Sequence, residues 1–122
     1  MSRCNKANCT SCPYIKEGKG IKINEEPWTI NRKLDCNSYN IVYAIICKKK
    51  EACRQVYIGE TKRILKFCLA DHRGYVLNKQ TNQATGHHFN LPGHSLYDLQ
   101  ITAIDVRKKQ CDIQKAERKV SY

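Results

Sequence analysis

The sequence predicts a mixed α/β (α+β) fold, a small three-stranded antiparallel sheet flanked by helices, with a Cys-rich N-terminal extension. Two β-rich runs, Ile41–Cys47 and Gln55–Gly59, are joined by a short basic loop, and antiparallel pairing is the economical connection. Between Arg63 and Leu77 the period changes: Ile64, Cys68, His72 and Val76 recur every four residues with Leu65 and Leu69 beside them, one face of a helix. Leu99–Val106 then alternates like a strand with one side buried.

Residues 1–40 form the extension. Its head carries Cys4, Cys9 and Cys12, and Gly18-Lys19-Gly20 leads into Ile21-Lys22-Ile23. With Trp28-Thr29-Ile30 beyond Glu25-Glu26-Pro27, two short alternating runs flank a turn and predict a hairpin. Such a hairpin is too small to stand alone, so Trp28 and Tyr39 are expected to pack it on the sheet. Residues 41–122 form the main unit, in which Thr81–Gly93, containing Gly86, Pro92 and Gly93, reads as a loop. Cys111–Tyr122 has helical composition, giving the order β-β-α-β-α after the extension.

A 122-residue chain has room for one domain, and at this size folding buries only about two-thirds of the surface the unfolded chain exposes. Twenty-two Lys and Arg stand against eleven Asp and Glu, a net charge of +11 spread along the chain. That balance points to a polyanionic partner, with a merely solvated basic surface as the alternative. Eight cysteines mean disulfides or metal. Met1-Ser2-Arg3-Cys4 lacks an apolar leader, and no run approaches the roughly 18 apolar residues of a membrane span. An intracellular location and no membrane partner are therefore expected, and in a reducing compartment clustered cysteines are more readily metal ligands or plain thiols than bridges.

Cys47 and Cys53 are separated by five residues, as are His88 and His94. The order Cys-x5-Cys-x34-His-x5-His offers two thiolates and two imidazoles, enough for a closed tetrahedral Zn²⁺ site. Its role would be structural, tying the strand loop to the segment that enters the third strand. Cys4, Cys9, Cys12 and Cys36 can supply a second Zn²⁺, with Cys9-x2-Cys12 as the tight pair, or remain plain thiols. His87 reads as a surface neighbour, Cys68 as a small buried apolar side chain and Cys111 as the start of the last helix.

Val42-Tyr43, then Tyr57-Ile58-Gly59-Glu60-Thr61, then a basic helix ending in Asp71-His72-Arg73 resemble the signature of GIY-YIG nucleases. The tripeptide that names the family is Ile41-Val42-Tyr43 here. Three further segments resemble the branch found in Penelope-like retroelements: the Cys4…Cys9-Thr10-Ser11-Cys12-Pro13 head, the Cys36-Asn37-Ser38 approach, and Ala84–Ser95. The resemblance covers almost the whole chain. It implies a GIY-YIG fold, a DNA partner and hence a nuclear location, and metal-dependent hydrolysis of a phosphodiester with Mg²⁺ or Mn²⁺. It also implies a reverse transcriptase region outside this chain, and a Cys-Cys-His-His zinc set in the same two segments as Cys47, Cys53, His88 and His94.

Residue by residue, Tyr43 and Tyr57 match the family's water-positioning tyrosines and His72 its helix histidine. The arginine that steadies the scissile phosphate is expected one helical turn before the histidine, where this chain has Cys68. A neutral thiol cannot form the bidentate fork. The family's metal-binding glutamate aligns with Val120, and Glu117, three residues earlier, is the substitute the sequence offers in what reads as a C-terminally truncated domain. Lys48, Lys49, Lys50, Arg63 and Lys66 are the candidate phosphate contacts. The functional alternatives are an inactive, zinc-stabilised nucleic-acid-binding remnant and a zinc-dependent protein-interaction module; the latter leaves the tyrosines and the charge unexplained.

Overall fold

A computed structural model describes residues 1–23, 26–49, 53 and 55–107. Lys50, Cys111, Glu117 and Val120, and with them the expected last helix, lie outside the described residues. The elements are β1 (Gly20–Ile23), β2 (Glu26–Thr29), β3 (Ile41–Cys47), β4 (Val56–Thr61), α1 (Leu65–Leu77), α2 (Ala84–His88) and β5 (Leu99–Val106). The architecture is mixed α+β, a two-stranded ribbon of β1 and β2 beside a three-stranded sheet in the order β4-β3-β5.

β3 occupies the centre because it alone is apolar throughout: all of Ile41–Cys47 is buried, as in a strand covered on both faces. It pairs antiparallel with β4, Tyr43 opposite Gly59 and Ile45 opposite Tyr57, and antiparallel with β5, Ile45 opposite Ile101. β5 keeps its expected bounds but not its expected one-sided burial. Leu99 and the run Ile101–Ile104 are all buried, because Met1, Ile15 and Trp28 of the extension lie against β5. Ile15 bridges Ile101 in parallel, and the Lys16 N–H donates to the Ile101 carbonyl at 2.9 Å. Ile15, Ile21, Ile30, Leu34 and Cys36 share one core with the sheet and α1.

The hairpin forms with a different turn. Pro27 lies inside β2 opposite Lys22, and the connecting residues 24–25 fall outside the described ones. A proline is tolerated there because in a two-stranded ribbon its missing N–H need not serve a ladder. Trp28 reaches β5, its indole N–H donating to the Ile104 carbonyl at 3.5 Å. Tyr39, in contrast, is 68% exposed and packs nothing onto the sheet: an aromatic in a polar loop need not be an anchor.

α1 buries Leu65, Cys68, Leu69 and Val76, the i, i+3, i+4 stripe of an amphipathic helix. It has no side-chain cap; the Leu65 and Lys66 N–H groups donate instead to the carbonyls of Ser38 (2.8 Å) and Cys36 (3.1 Å). These bonds satisfy two of the amides a helix start leaves unpaired. α2 corrects the expected loop. Its Thr-Gly-His-His content has weak intrinsic preference for helix, but packing imposes one. Gly86 sits against the main-chain oxygens of Gln80 and Tyr75, where a Cβ would have no room. The Asn90 amide bonds the Val76 and Gly86 carbonyls, and Phe89 is buried beneath. No described helix is long and apolar enough to cross a membrane.

Candidate metal centres and the tyrosine face

Two groups of side chains that the sequence separates are brought together. In the first, Asn5 and Asn8 adopt left-handed backbone, φ 56° and 63°, a conformation asparagine tolerates better than most residues. The chain thereby curls Cys4 and Cys9 toward Cys12, and Cys36 enters from the loop that caps α1. The four sulfurs lie within 4.8 Å of one another, with Cys4–Cys12 and Cys12–Cys36 both at 3.7 Å. That spacing is far too long for a disulfide, about 2.05 Å, and close to the edge of a tetrahedron with metal–sulfur bonds of about 2.3 Å, roughly 3.8 Å. Burial works against ionising Cys9, yet hydrogen bonds from the Cys12 and Cys4 thiols and the Ser11 and Cys12 amides bring its pKa down to about 7. Burial pushes Cys36 up. The set can hold a metal ion.

The second group joins Cys47 at the end of β3, Cys53 in the following connection, His88 in α2 and His94 beyond it, again with all ligand atoms within 4.8 Å. Cys53 Sγ and His88 Nε2 are 3.3 Å apart. His94 Nδ1 lies 3.2 Å from the Pro92 carbonyl. A carbonyl only accepts, so Nδ1 carries the proton and Nε2 presents its lone pair. Nε2 is buried and has no hydrogen-bond partner of good geometry among the described residues. A buried imidazole nitrogen interacting with the Cys53 thiol, the main cause of the raised His94 pKa, fits a fourth ligand to a metal. His87, the neighbour in sequence, is exposed and outside the group.

The pairing of β3 with β4 sets Tyr43, Ile45 and Tyr57 on one face, since directly opposed residues point to the same side. Tyr43 lies across Gly59: a Cβ at that glycine would be 2.5 Å from the Tyr43 Cζ and Oη. α1 brings His72 onto this face, with Nε2 at 3.0 Å from Tyr43 Oη. His72 Nδ1 lies 2.8 Å from Thr85 Oγ1, a buried hydroxyl on α2. Thr85 carries no signal in the sequence, because its partner is assigned only by how α2 docks. The Cys68 thiol, 8% exposed, reaches Tyr43, and burial raises its pKa. Burial likewise raises Tyr57, aided by the charges of Cys53 and Cys47.

Of the expected phosphate contacts, Lys48 and Lys49 are exposed at the end of β3. Arg63 is engaged with Asp71 at 2.6 Å on the surface, a pair worth about 0–1 kcal/mol. Lys66 places its ammonium 5.5 Å from the Phe67 ring centre.

Burial holds His72 neutral, its pKa lowered to about 4 against the opposing charge of Asp71. Between pH 6.5 and 4 the unfolded chain therefore binds a proton that the folded chain refuses. The stability from neutral His72 is complete above about pH 6.5 and is lost as the pH falls toward 4, by up to about 3 kcal/mol. Ligand protonation at the metal centres acts in the same window, so the check is a difference. The stability advantage of the wild-type chain over His72→Gln, from denaturant melts at pH 7 and pH 4, should shrink by about that amount. A constant difference would contradict it.

Against family models, curated proteins and solved structures, the chain finds no match.

Proposed function

We propose that this chain is a DNA endonuclease module of the GIY-YIG type, similar to those of Penelope-like retroelements, with both cysteine centres loaded with structural Zn²⁺. The observation that carries the reading is the disposition of Tyr43, Tyr57 and His72. The two tyrosines share a sheet face, and Tyr43 is hydrogen-bonded to a histidine that is neutral at physiological pH. A neutral imidazole with Nδ1 engaged by Thr85 can accept a hydrogen bond from Tyr43 at Nε2, fixing the phenol so that its oxygen orients a water for attack on phosphorus. A divalent cation, when bound, would neutralise charge on the phosphate; the carboxylate proposed for it, Glu117, lies outside the described residues. The net charge of +11 and exposed Lys48 and Lys49 suit a DNA backbone. On this reading the natural setting is nuclear, alongside a reverse transcriptase region.

A second reading, a module that binds DNA without cutting it, is favoured by one observation. Tyr43 is only 3% exposed, and the thiol beside it, Cys68, stands where the family's phosphate-binding arginine is expected. Relaxation of supercoiled plasmid with Mg²⁺ or Mn²⁺ separates the two. The endonuclease reading expects nicking that falls about 100-fold or more in Tyr43→Phe. Cys68→Arg should raise the rate by restoring a charged fork beside the phosphate. If neither the wild-type chain nor Cys68→Arg nicks while both bind DNA with strong salt dependence, the non-cutting reading stands.

A further inference from the structure

We infer that His88 couples the Cys47/Cys53/His88/His94 centre to Tyr57, so that a metal bound there dictates which way the Tyr57 hydrogen bond runs. The inference rests on the metal reading above and gives the centre a role beyond stapling two segments.

His88 has one nitrogen on each side of the junction. Nε2 is 3.3 Å from Cys53 Sγ, inside the ligand group, and Nδ1 is 3.2 Å from Tyr57 Oη. The ring is held in this orientation by edge-on packing against Tyr57 at 5.5 Å, Phe89 at 4.8 Å and His94 at 4.8 Å between centroids. A neutral imidazole carries its proton on one nitrogen only. Once the Nε2 lone pair is given to a metal, the proton resides on Nδ1, and Nδ1–H donates to Tyr57 Oη. Tyr57, a half-buried residue, is then an acceptor from His88, and its own O–H is turned away from the centre. There it can donate to an anionic oxygen such as a phosphodiester's. With Nε2 unmetallated, the opposite tautomer is accessible: Nε2–H faces the Cys53 sulfur, and the Tyr57 proton is drawn inward to Nδ1.

The neighbouring Tyr43–His72 pair has similar ring geometry, 5.8 Å between centroids, without this constraint. His72 Nδ1 meets the Thr85 hydroxyl, which both donates and accepts, so no metal ligand in this pair fixes its polarity. Tyr57 is accordingly an outer partner of a metal ligand and Tyr43 is not.

The consequence is measurable without any nuclease assay. Co²⁺ substitution separates the two centres by their spectra, since one offers four sulfurs and the other two sulfurs and two nitrogens. Competition with a chromophoric chelator then gives the affinity of the mixed centre in the wild-type chain, Tyr57→Phe and Tyr43→Phe. The expected result is a loss of about 10-fold or more in Tyr57→Phe, the usual cost of removing an outer-shell partner, with Tyr43→Phe and the four-sulfur centre unchanged. A second measurement uses the intact protein: ¹⁵N-histidine NMR of the Zn²⁺-loaded wild-type chain should show His88 protonated at Nδ1, with slow proton exchange that becomes fast in Tyr57→Phe. Affinity in Tyr57→Phe within twofold of wild type, or His88 unprotonated at Nδ1 in the loaded chain, would overturn the coupling while leaving the metal centre standing. A mixed centre that takes up neither Co²⁺ nor Zn²⁺ would overturn both together.

Discussion

On the zinc reading, stripping metal from the chain is expected to unfold it. A structural Zn²⁺ in a small domain contributes about 10–16 kcal/mol of apparent binding free energy, whereas a whole domain is stable by only about 5–15 kcal/mol. Loss of either centre is thus large on the scale of the fold. The four-cysteine centre has the wider reach, because Cys36 lies in the loop whose carbonyls cap α1 and the same head meets β5 through Ile15. Without the ion, clustered thiolates repel one another and buried thiols must stay protonated, which is the opposite of what the geometry serves. A chelator with a reductant present should abolish the dispersed amide NMR spectrum and most of the circular dichroism. Cys36→Ser should do the same, while Cys68→Ser, outside both groups, should retain bound metal and dispersion. An unchanged melting temperature in the chelated wild-type chain would refute the structural role.

The second large effect is expected at Gly59. Its added Cβ would fall 2.5 Å from the Tyr43 ring and hydroxyl, below any tolerable contact. Either Tyr43 swings off the sheet or β3 and β4 separate, and overpacking of this kind costs about 1–3 kcal/mol. On the endonuclease reading the displaced hydroxyl also leaves His72, and a misplacement of about 1 Å is enough to cost on the order of 100-fold in rate. Gly59→Ala should therefore lower the denaturation midpoint and suppress nicking, with the Tyr43 ring resonances shifted. Full activity with unshifted resonances would show that the ring does not need this glycine.

The strands β3 and β5 and the helix α1 were legible because their signals are local and strong. Ile41–Cys47 is apolar without interruption, and Leu65, Cys68, Leu69 and Val76 repeat at helical spacing. The candidate ligand pairs were visible for a similar reason: Cys47 with Cys53 and His88 with His94 are each six positions apart, and the structure brings all four together. What escaped was set by long-range packing. α2 exists because Gly86 fits against the end of α1, a fact no propensity contains. Thr85 becomes a partner of His72 only once that helix is seated. Pro27 reads as a turn by composition, but its place on a two-stranded ribbon removes the objection to it as strand. The neutrality of His72 likewise follows from burial, not from its neighbours in sequence, one of which is an aspartate that pulls the other way.

The parallel bridge between Ile15 and Ile101 bears on how the chain is made. Synthesis proceeds from the N-terminus at about 5–20 residues per second, so the 101 − 15 = 86 residues added after Ile15 up to Ile101 take on the order of 4–17 s to appear. For that interval the cysteine head can gather its four sulfurs, which are complete by residue 36, but has no β5 to lie against. A metal ion held by these four cysteines would therefore let the head fold before β5 is made, with pairing of the head to the sheet edge following it.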